Sequence, residues 1–126
     1  MFRDGASFGQ GLIPRNLIFV GGKYAPVGDK QVMTGQAYVE YQIPEKRTQP
    51  YPLVIVPGAA QTATNFNGTA DGREGWTQYF LRRGYAVYMV EQPGRARSSY
   101  QPDTEGPQGY PAASQRAAAF HGAGEI

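Results

Sequence analysis

The chain has 126 residues, no cysteine, one histidine and a net charge of +2 at neutral pH. This length allows one domain with a modest core, and the lack of cysteine excludes disulfide scaffolds, thiolate zinc sites and cysteine nucleophiles. The basic residues are scattered, which argues against nucleic-acid binding, and no apolar run reaches the ~20 residues of a membrane-spanning helix.

The amino-terminal 16 residues are glycine-rich and have no hydrophobic period, so they are predicted to be an irregular lead-in. They contain no apolar core of signal-peptide length, and the cytoplasm is therefore the default compartment for a chain of otherwise unknown localisation. Residues 17–24 are predicted to form a strand, and residues 25–34 a turn-rich connection. Residues 36–43 alternate between apolar and polar side chains, which predicts an antiparallel strand near the sheet edge with one buried face.

Two short aliphatic runs follow, and they predict strands at 52–57 and 85–91. Runs of this kind are typical of parallel strands that are covered on both faces, and the first is predicted to be the central strand. Both runs end at a Pro-Gly pair, Pro57-Gly58 and Pro93-Gly94. Ligands of open α/β sheets bind at the carboxyl ends of the strands, so the two loops are expected to border a binding site.

A helix of about three turns is predicted at 75–83, between these two strands. Trp76, Tyr79 and Phe80 recur at helical spacing and are interpreted as core residues. Gly84 is expected to cap the carboxyl end, and either Thr69 or Asp71 the amino end. Residues 100–126 are rich in proline and glycine and are predicted to be a tail with one short helix near 112–120.

The segments Gly72-Arg73-Glu74-Gly75-Trp76 and Gly94-Arg95-Ala96-Arg97-Ser98 resemble a group of bacterial serine esterases in the α/β-hydrolase superfamily. Residues 19–24 and 35–44 are similar to the first two strands of that group, which extends the resemblance over most of 17–98. The resemblance implies an α/β fold in which residues 17–99 form the N-terminal part of an α/β-hydrolase sheet. About four strands and one or two helices are expected, and the sheet is expected to be incomplete.

In the family that the chain resembles, the loop after the third strand supplies half of an oxyanion hole through its backbone N–H groups. The resemblance implies that Ala59 and Ala60 are the donors here, with Gly58 and Gln61 supporting the loop. Small residues suit this role because the backbone must approach the developing oxyanion closely. The alternative is an ordinary tight turn between a strand and a helix.

The loop that contains Gly94, Arg95, Arg97 and Ser98 resembles an architectural turn of the same family. Gly94 is expected to adopt a positive φ, and Ser98 to cap a following helix. Arg95 and Arg97 are candidate active-site residues, but the simpler interpretation is that they are solvated or paired with acidic residues such as Glu91 or Asp71.

The family's nucleophile motif G-x-S-x-G does not occur at any of the four serines, Ser7, Ser98, Ser99 and Ser114. The single histidine, His121, does not follow a serine and an acid in family order, and no metal-ligand spacing or cofactor motif occurs. The prediction is a fragment or subunit of a carboxylic-ester hydrolase that is inactive alone, needs no cofactor, and binds a small ester only when a second polypeptide completes the domain. Self-association is also expected, and the alternative is a non-catalytic binding module or a degenerate fragment.

Overall fold

The computed structural model describes residues 15–58 and 61–109. These residues form a four-stranded mixed sheet with the strand order β1-β2-β4-β3. The bounds of the strands and helices, in chain order, are β1 Asn16–Val27, β2 Lys30–Gln42, β3 Leu53–Ile55, the 3₁₀ helix η1 Ala63–Phe66, α1 Trp76–Leu81, β4 Val87–Glu91 and α2 Pro102–Glu105.

The first two strands form one long antiparallel hairpin, so the predicted turn-rich connection at 25–34 is wrong. Pairing continues from Asn16 opposite Tyr41 to Val27 opposite Lys30. The turn is therefore the two residues between Val27 and Lys30, and Gly28 adopts the positive φ of 59° that a tight hairpin turn requires. Pro26 is tolerated within β1 because that strand has a partner on one side only among the described residues.

The carboxyl-terminal part of strand β2, residues 37–42, is covered on both faces, which corrects the prediction of a single inward face. Its register with β4 places Glu40 opposite Met89 and Gln42 opposite Val87. Directly paired residues share a face of the sheet, so the polar side chains of β2 lie on the same face as the most buried residues of β4. The alternation was correct as a strand signal, but it did not reveal that the polar face is covered.

The pairing of β3 with β4 is parallel, as predicted. The prediction that β3 is the central strand is wrong for the described sheet, because β4 pairs with β2 on its other side and thereby takes the interior position. The free edge of β3 is apolar and open: Val54 is 56 % exposed, and Val56, just beyond the strand, is 51 % exposed.

A compact cluster joins one face of the sheet to the segment that crosses from β3 to β4. Its buried members are Ile55, Ala63, Leu81, Val87 and Met89. Phe80 packs against this cluster, but Trp76 and Tyr79 are 63 % and 46 % exposed, so the interpretation of all three aromatics as core is wrong for those two. The buried residues of this six-residue helix are Thr77 and Leu81, so the stripe that faces the sheet is not the one that carries Trp76 and Tyr79.

Glycine defines both ends of α1. Gly75 is the N-cap and makes no side-chain cap hydrogen bond, so neither Thr69 nor Asp71 caps the helix; these two side chains bond to each other instead. At the carboxyl end, Gly84 has a φ of 81° and the Tyr85 N–H donates to the Phe80 carbonyl oxygen at 3.2 Å. This is a Schellman cap, and the prediction for Gly84 is confirmed.

Candidate active-site edge

The loop after β3 leaves the sheet at the carboxyl edge. Pro57 is buried and Gly58 is exposed, so the backbone turns from the core to the surface within one peptide. The Gln61 N–H donates to the Gly58 carbonyl oxygen at 3.2 Å, which closes a turn around the two residues between them. The contact is made by the backbone of Gln61 and not by its side chain.

Ala59 and Ala60, the predicted oxyanion donors, lie outside the described residues, and their role stays a prediction. The two residues that flank them are close in space. A Cβ on Gly58 would lie 3.4 Å from the Gln61 side-chain oxygen, so the Gln61 side chain lies over Gly58 at ordinary contact distance. Gly58 and Gln61 are thus close in space and exposed at the surface, and their support of an oxyanion loop stays a prediction.

The loop after β4 is held by Glu91, the last residue of that strand. The Glu91 residue is only 1 % exposed. Its carboxylate accepts hydrogen bonds from the Arg97 backbone N–H at 2.5 Å and from the Arg97 Nε and Nη2 atoms at 3.1 and 2.9 Å. The ion pair between Arg97 and Glu91, one of the two partners proposed from the sequence, is confirmed, whereas Asp71 binds Arg73.

Arg97 also reaches across to β2. Its Nη1 atom donates to Glu40 at 2.8 Å and to the Tyr38 hydroxyl at 3.1 Å, and its guanidinium lies 4.1 Å from the centre of the Tyr38 ring. Burial acts to raise the pKa of Glu91, but the hydrogen bonds and charge of Arg97 outweigh it and hold that pKa below its ordinary value. For Arg97, burial acts to lower the pKa, but the bonds to Glu91 and Glu40 keep it raised above its ordinary value.

Ser98 joins the same loop to the backbone of the sheet. It is 3 % exposed, accepts the Tyr38 N–H at 2.8 Å and donates to the Glu91 carbonyl oxygen at 2.7 Å. The expectation that it caps a following helix is wrong, because α2 begins four residues later and its N-cap is Gln101. Its hydroxyl thus accepts one hydrogen bond from β2 and donates one to β4, and so links the two strands.

The segment after this loop folds back over it. Glu105 of α2 accepts hydrogen bonds from the Thr34 hydroxyl at 2.6 Å and the Gly35 N–H at 3.2 Å, and the Thr34 bond is the main reason that the pKa of Glu105 is lowered. Gln108 donates to the Gly94 carbonyl oxygen at 2.8 Å. Gly94 has the predicted positive φ, 70°. Sequence reasoning missed these contacts between α2 and β2, since nothing in a proline-rich segment signals a contact with β2.

The remaining candidate residues do not assemble into a catalytic group within the described residues. Arg95 and Ser99 are exposed, and Ser7, Ser114 and His121 lie outside 15–58 and 61–109. Across those ranges, no group of three or more histidine or acidic residues is placed to hold a metal ion. No helix in the same ranges has the length and apolar character needed to cross a membrane.

Comparison with known proteins identifies the class of this sheet. No protein-family model matches the chain. Over 87 residues it is 42 % identical to a probable secreted lipase, phiG, from a fungal species (strain ATCC 74256), a match that covers 69 % of this chain and 22 % of the lipase. It is 34 % identical to a bacterial esterase of known structure, with a TM-score of 0.64, over 71 % of this chain and 31 % of the esterase.

The chain is therefore a relative of lipases and esterases, and its described sheet is part of an α/β-hydrolase sheet. The resemblance drawn from residues 72–76 and 94–98 is confirmed. The chain spans less than a third of the length of each of these two relatives.

Proposed function

We propose that the chain is the N-terminal part or a subunit of a carboxylic-ester hydrolase, and that it contributes the oxyanion loop. The observation that carries the proposal is the closed turn from Gly58 to Gln61 at the carboxyl edge of β3, in a chain related to a lipase and an esterase. This edge is where α/β sheets bind their ligands. The alternative remains a binding module or a degenerate fragment that retains this half-sheet.

In the proposed reaction, a serine outside the described residues attacks the ester carbonyl and a histidine accepts its proton. The tetrahedral intermediate carries a negative oxygen, which the N–H groups of Ala59 and Ala60 stabilise together with one N–H next to the nucleophile. The described residues of this chain contribute the turn that presents those donors. Ser98 is not the nucleophile in this scheme, because its hydroxyl already links Tyr38 to Glu91.

The first prediction concerns the isolated chain. We expect no turnover of p-nitrophenyl acetate or butyrate above buffer, because an oxyanion loop without a positioned nucleophile gives little rate. A serine-directed fluorophosphonate should leave the chain unlabelled in intact-mass spectrometry. Stoichiometric labelling at Ser98 or Ser99 would contradict the placement of the nucleophile elsewhere.

The oxyanion role itself is tested in a chimera in which residues 17–99 replace the corresponding segment of the related bacterial esterase. An active chimera supports the proposal, and Ala59→Pro or Ala60→Pro, which removes one N–H donor, should then lower kcat by roughly 100–1,000-fold. Ala59→Ser and Ala60→Ser retain the donor and are the matched controls. A folded chimera without activity, or proline variants that behave like the serine variants, would favour the binding-module alternative.

The second prediction concerns partners. We propose that the free edge of β3 pairs with a strand from a second polypeptide or, in the purified chain, from a second copy. The Leu53 N–H donates to the Ala86 carbonyl oxygen at 2.8 Å and therefore points toward β4. Backbone groups alternate in direction along a strand, so the N–H and C=O of Val54 point away from β4, next to the exposed Val54 side chain.

Sedimentation velocity should therefore show self-association of the full chain at roughly micromolar concentrations, and Val54→Lys should shift the protein toward monomer. Leu17→Lys, at an equally exposed position on β1, controls for added charge at the opposite edge. A compact monomer, or equal effects of the two lysines, would show that the β3 edge does not drive association.

A further inference from the structure

The β1–β2 hairpin extends past the end of the strand beside it. Strand β4 ends at Glu91, which lies opposite Tyr38, and β2 runs antiparallel to β4. The residues of β2 before Tyr38 therefore lie beyond the carboxyl end of β4, where they remain paired with β1. We call residues 23–34 the arm. It stands at the same edge of the sheet as the turn from Gly58 to Gln61.

Glycines on both strands mark the level at which the arm leaves the sheet. The Cα pairing of β1 with β2 is continuous except at one level, where Gly22 and Gly35 lie opposite each other without pairing. Their φ values are 86° and 73°, in the left-handed region that other residues rarely adopt. A Cβ on Gly35 would meet nothing within 4 Å. The interruption of the ladder and the free space give this level the properties of a hinge.

A short helix holds the arm from one side. Helix α2 packs against both β1 and β2. Its Glu105 accepts hydrogen bonds from the Thr34 hydroxyl at 2.6 Å and from the Gly35 N–H at 3.2 Å. The Thr104 hydroxyl donates to the Thr34 hydroxyl at 2.8 Å, and Thr34 is 4 % exposed. Glu105 is thus bonded both to the last residue of the arm and to the adjoining hinge glycine.

The same carboxylate lies against the loop after β4. A Cβ on Gly94 would lie 3.0 Å from the Glu105 Oε2 atom, and Gln108 donates to the Gly94 carbonyl oxygen at 2.8 Å. That loop is bonded to the sheet through Arg97 and Ser98. One oxygen of Glu105 therefore contacts the arm, and the other contacts a loop that is fixed to the sheet.

The opposite face of the arm is open. Tyr24 and Met33 are directly paired, so they share a face, and they are 68 % and 37 % exposed. Side chains alternate along a strand, so this face is the one that Thr34 does not share. A two-stranded hairpin is marginal by itself, and its exposed face adds little that would fix its angle to the sheet. The contacts with α2 are therefore expected to decide that angle.

We propose that the arm is a hinged element of the carboxyl edge, that its hinge is the level of Gly22 and Gly35, and that Glu105 is the latch that fixes its angle to the sheet. With the latch closed, the arm forms one border of this edge. With the latch open, the arm moves about the two glycines as a unit. The hinge and the latch are properties of this chain alone, whereas a role of the arm as a border of an ester site rests on the proposed function.

The position of the arm can be measured with one substitution, because the chain has one tryptophan and no cysteine. Trp76 is the energy-transfer donor, and an acceptor dye is attached to Asp29→Cys at the exposed tip of the arm. Time-resolved energy transfer in the full chain, below the concentration at which it self-associates, should give a narrow distribution of distances.

Two variants open the latch, one from each side. Glu105→Ala removes both bonds to the arm, and Thr34→Val removes the hydroxyl while keeping the shape of the side chain. Each should broaden the distance distribution and shift its mean. Asp103→Ala makes the matched change at an exposed residue of α2 and should leave the distribution unchanged. A distribution that is already broad in the unmodified latch, or equal effects of Glu105→Ala and Asp103→Ala, would overturn the proposal.

Amide hydrogen exchange separates a hinge from local unfolding. In Glu105→Ala the cross-strand amides of the arm should keep the exchange rates of the unmodified chain, because a hinged arm moves without losing its own pairing. Faster exchange throughout residues 23–34 would show that the arm unfolds, and would overturn the hinge.

A chimera extended to residue 109 separates this proposal from the proposed function. If both hold, Glu105→Ala should raise KM for the ester more than it lowers kcat, because a fixed border contributes to substrate binding and does not touch the reacting atoms. A broadened distribution in the full chain together with a folded but inactive chimera would retain the latch and reject the ester site. An active chimera whose KM does not change in Glu105→Ala would reject the arm as a border of that site.

Discussion

Replacing Arg97 with methionine is expected to lower the free energy of unfolding by about 3 kcal/mol, near the lower end of the range for breaking a buried ion pair. The variant leaves Glu91, which is 1 % exposed, without its guanidinium and Glu40 without its closest cation. The lower end applies because the Arg97 side chain is itself 36 % exposed. Urea unfolding monitored by circular dichroism measures the change.

Arg95→Met is the matched control, because Arg95 lies in the same loop with an exposed side chain and should change stability by no more than about 0.5 kcal/mol. The difference between the two variants should shrink in acid. The folded-state pKa of Glu91 is lowered, so its stabilising contribution is complete above the ordinary value of 4.5 and is lost as the pH falls through the folded value. Equal stability losses for Arg97→Met and Arg95→Met at neutral pH would refute the assignment.

Gly75→Ala is expected to cost about 3 kcal/mol, the upper part of the range for overpacking. A Cβ at this position would lie 2.2 Å from the Phe66 carbonyl oxygen and 2.5 Å from the Gly68 nitrogen. Both are backbone atoms and cannot rotate away as a side chain can. The φ of Gly75 is −86°, so the cost arises from the close approach of two chain segments and not from the glycine's own conformation.

Gly109→Ala is the control, since a Cβ there would meet nothing within 4 Å and the glycine does not have a positive φ. It should be neutral within about 0.5 kcal/mol. Thermal unfolding of both variants decides the matter. A Gly75→Ala variant as stable as Gly109→Ala would mean that residues 66–68 can move away from α1, and that their close packing is not required by the fold.

The sequence predicted the parts of this fold that depend on local pattern. The aliphatic runs ending at Pro57-Gly58 and Pro93-Gly94 identified the parallel pair, and Gly84 identified the end of α1. The sequence could not predict which face of β2 is covered, because that depends on Arg97, 57 residues away from Glu40. Trp76 and Tyr79 were misjudged for a related reason: helical spacing shows which residues share a face but not what lies opposite it.

The candidate site divides in the same way. Resemblance to esterases pointed to Gly58 and Gln61, and the turn between them is formed by a local hydrogen bond. Glu91 was considered only as a partner for an arginine, because its almost complete burial follows from the register of β2 with β4 and has no local signal. The hydrogen bond from the Thr34 hydroxyl to Glu105 joins residues 71 positions apart, and no local sequence pattern predicts it.

The long separation between Glu40 and Arg97 also constrains the order in which a growing chain can be buried. The β1–β2 hairpin has the most local contacts in the described sheet, so its strands can meet as soon as both have emerged from the ribosome. A two-stranded hairpin is marginal in water, and within it Glu40 has only Arg15, 3.7 Å away, until its closest cation, Arg97, arrives. The hairpin, the first part of the chain that can form, is therefore among the last parts to lose its contact with water, because its open face stays solvated until the Arg97 loop covers it.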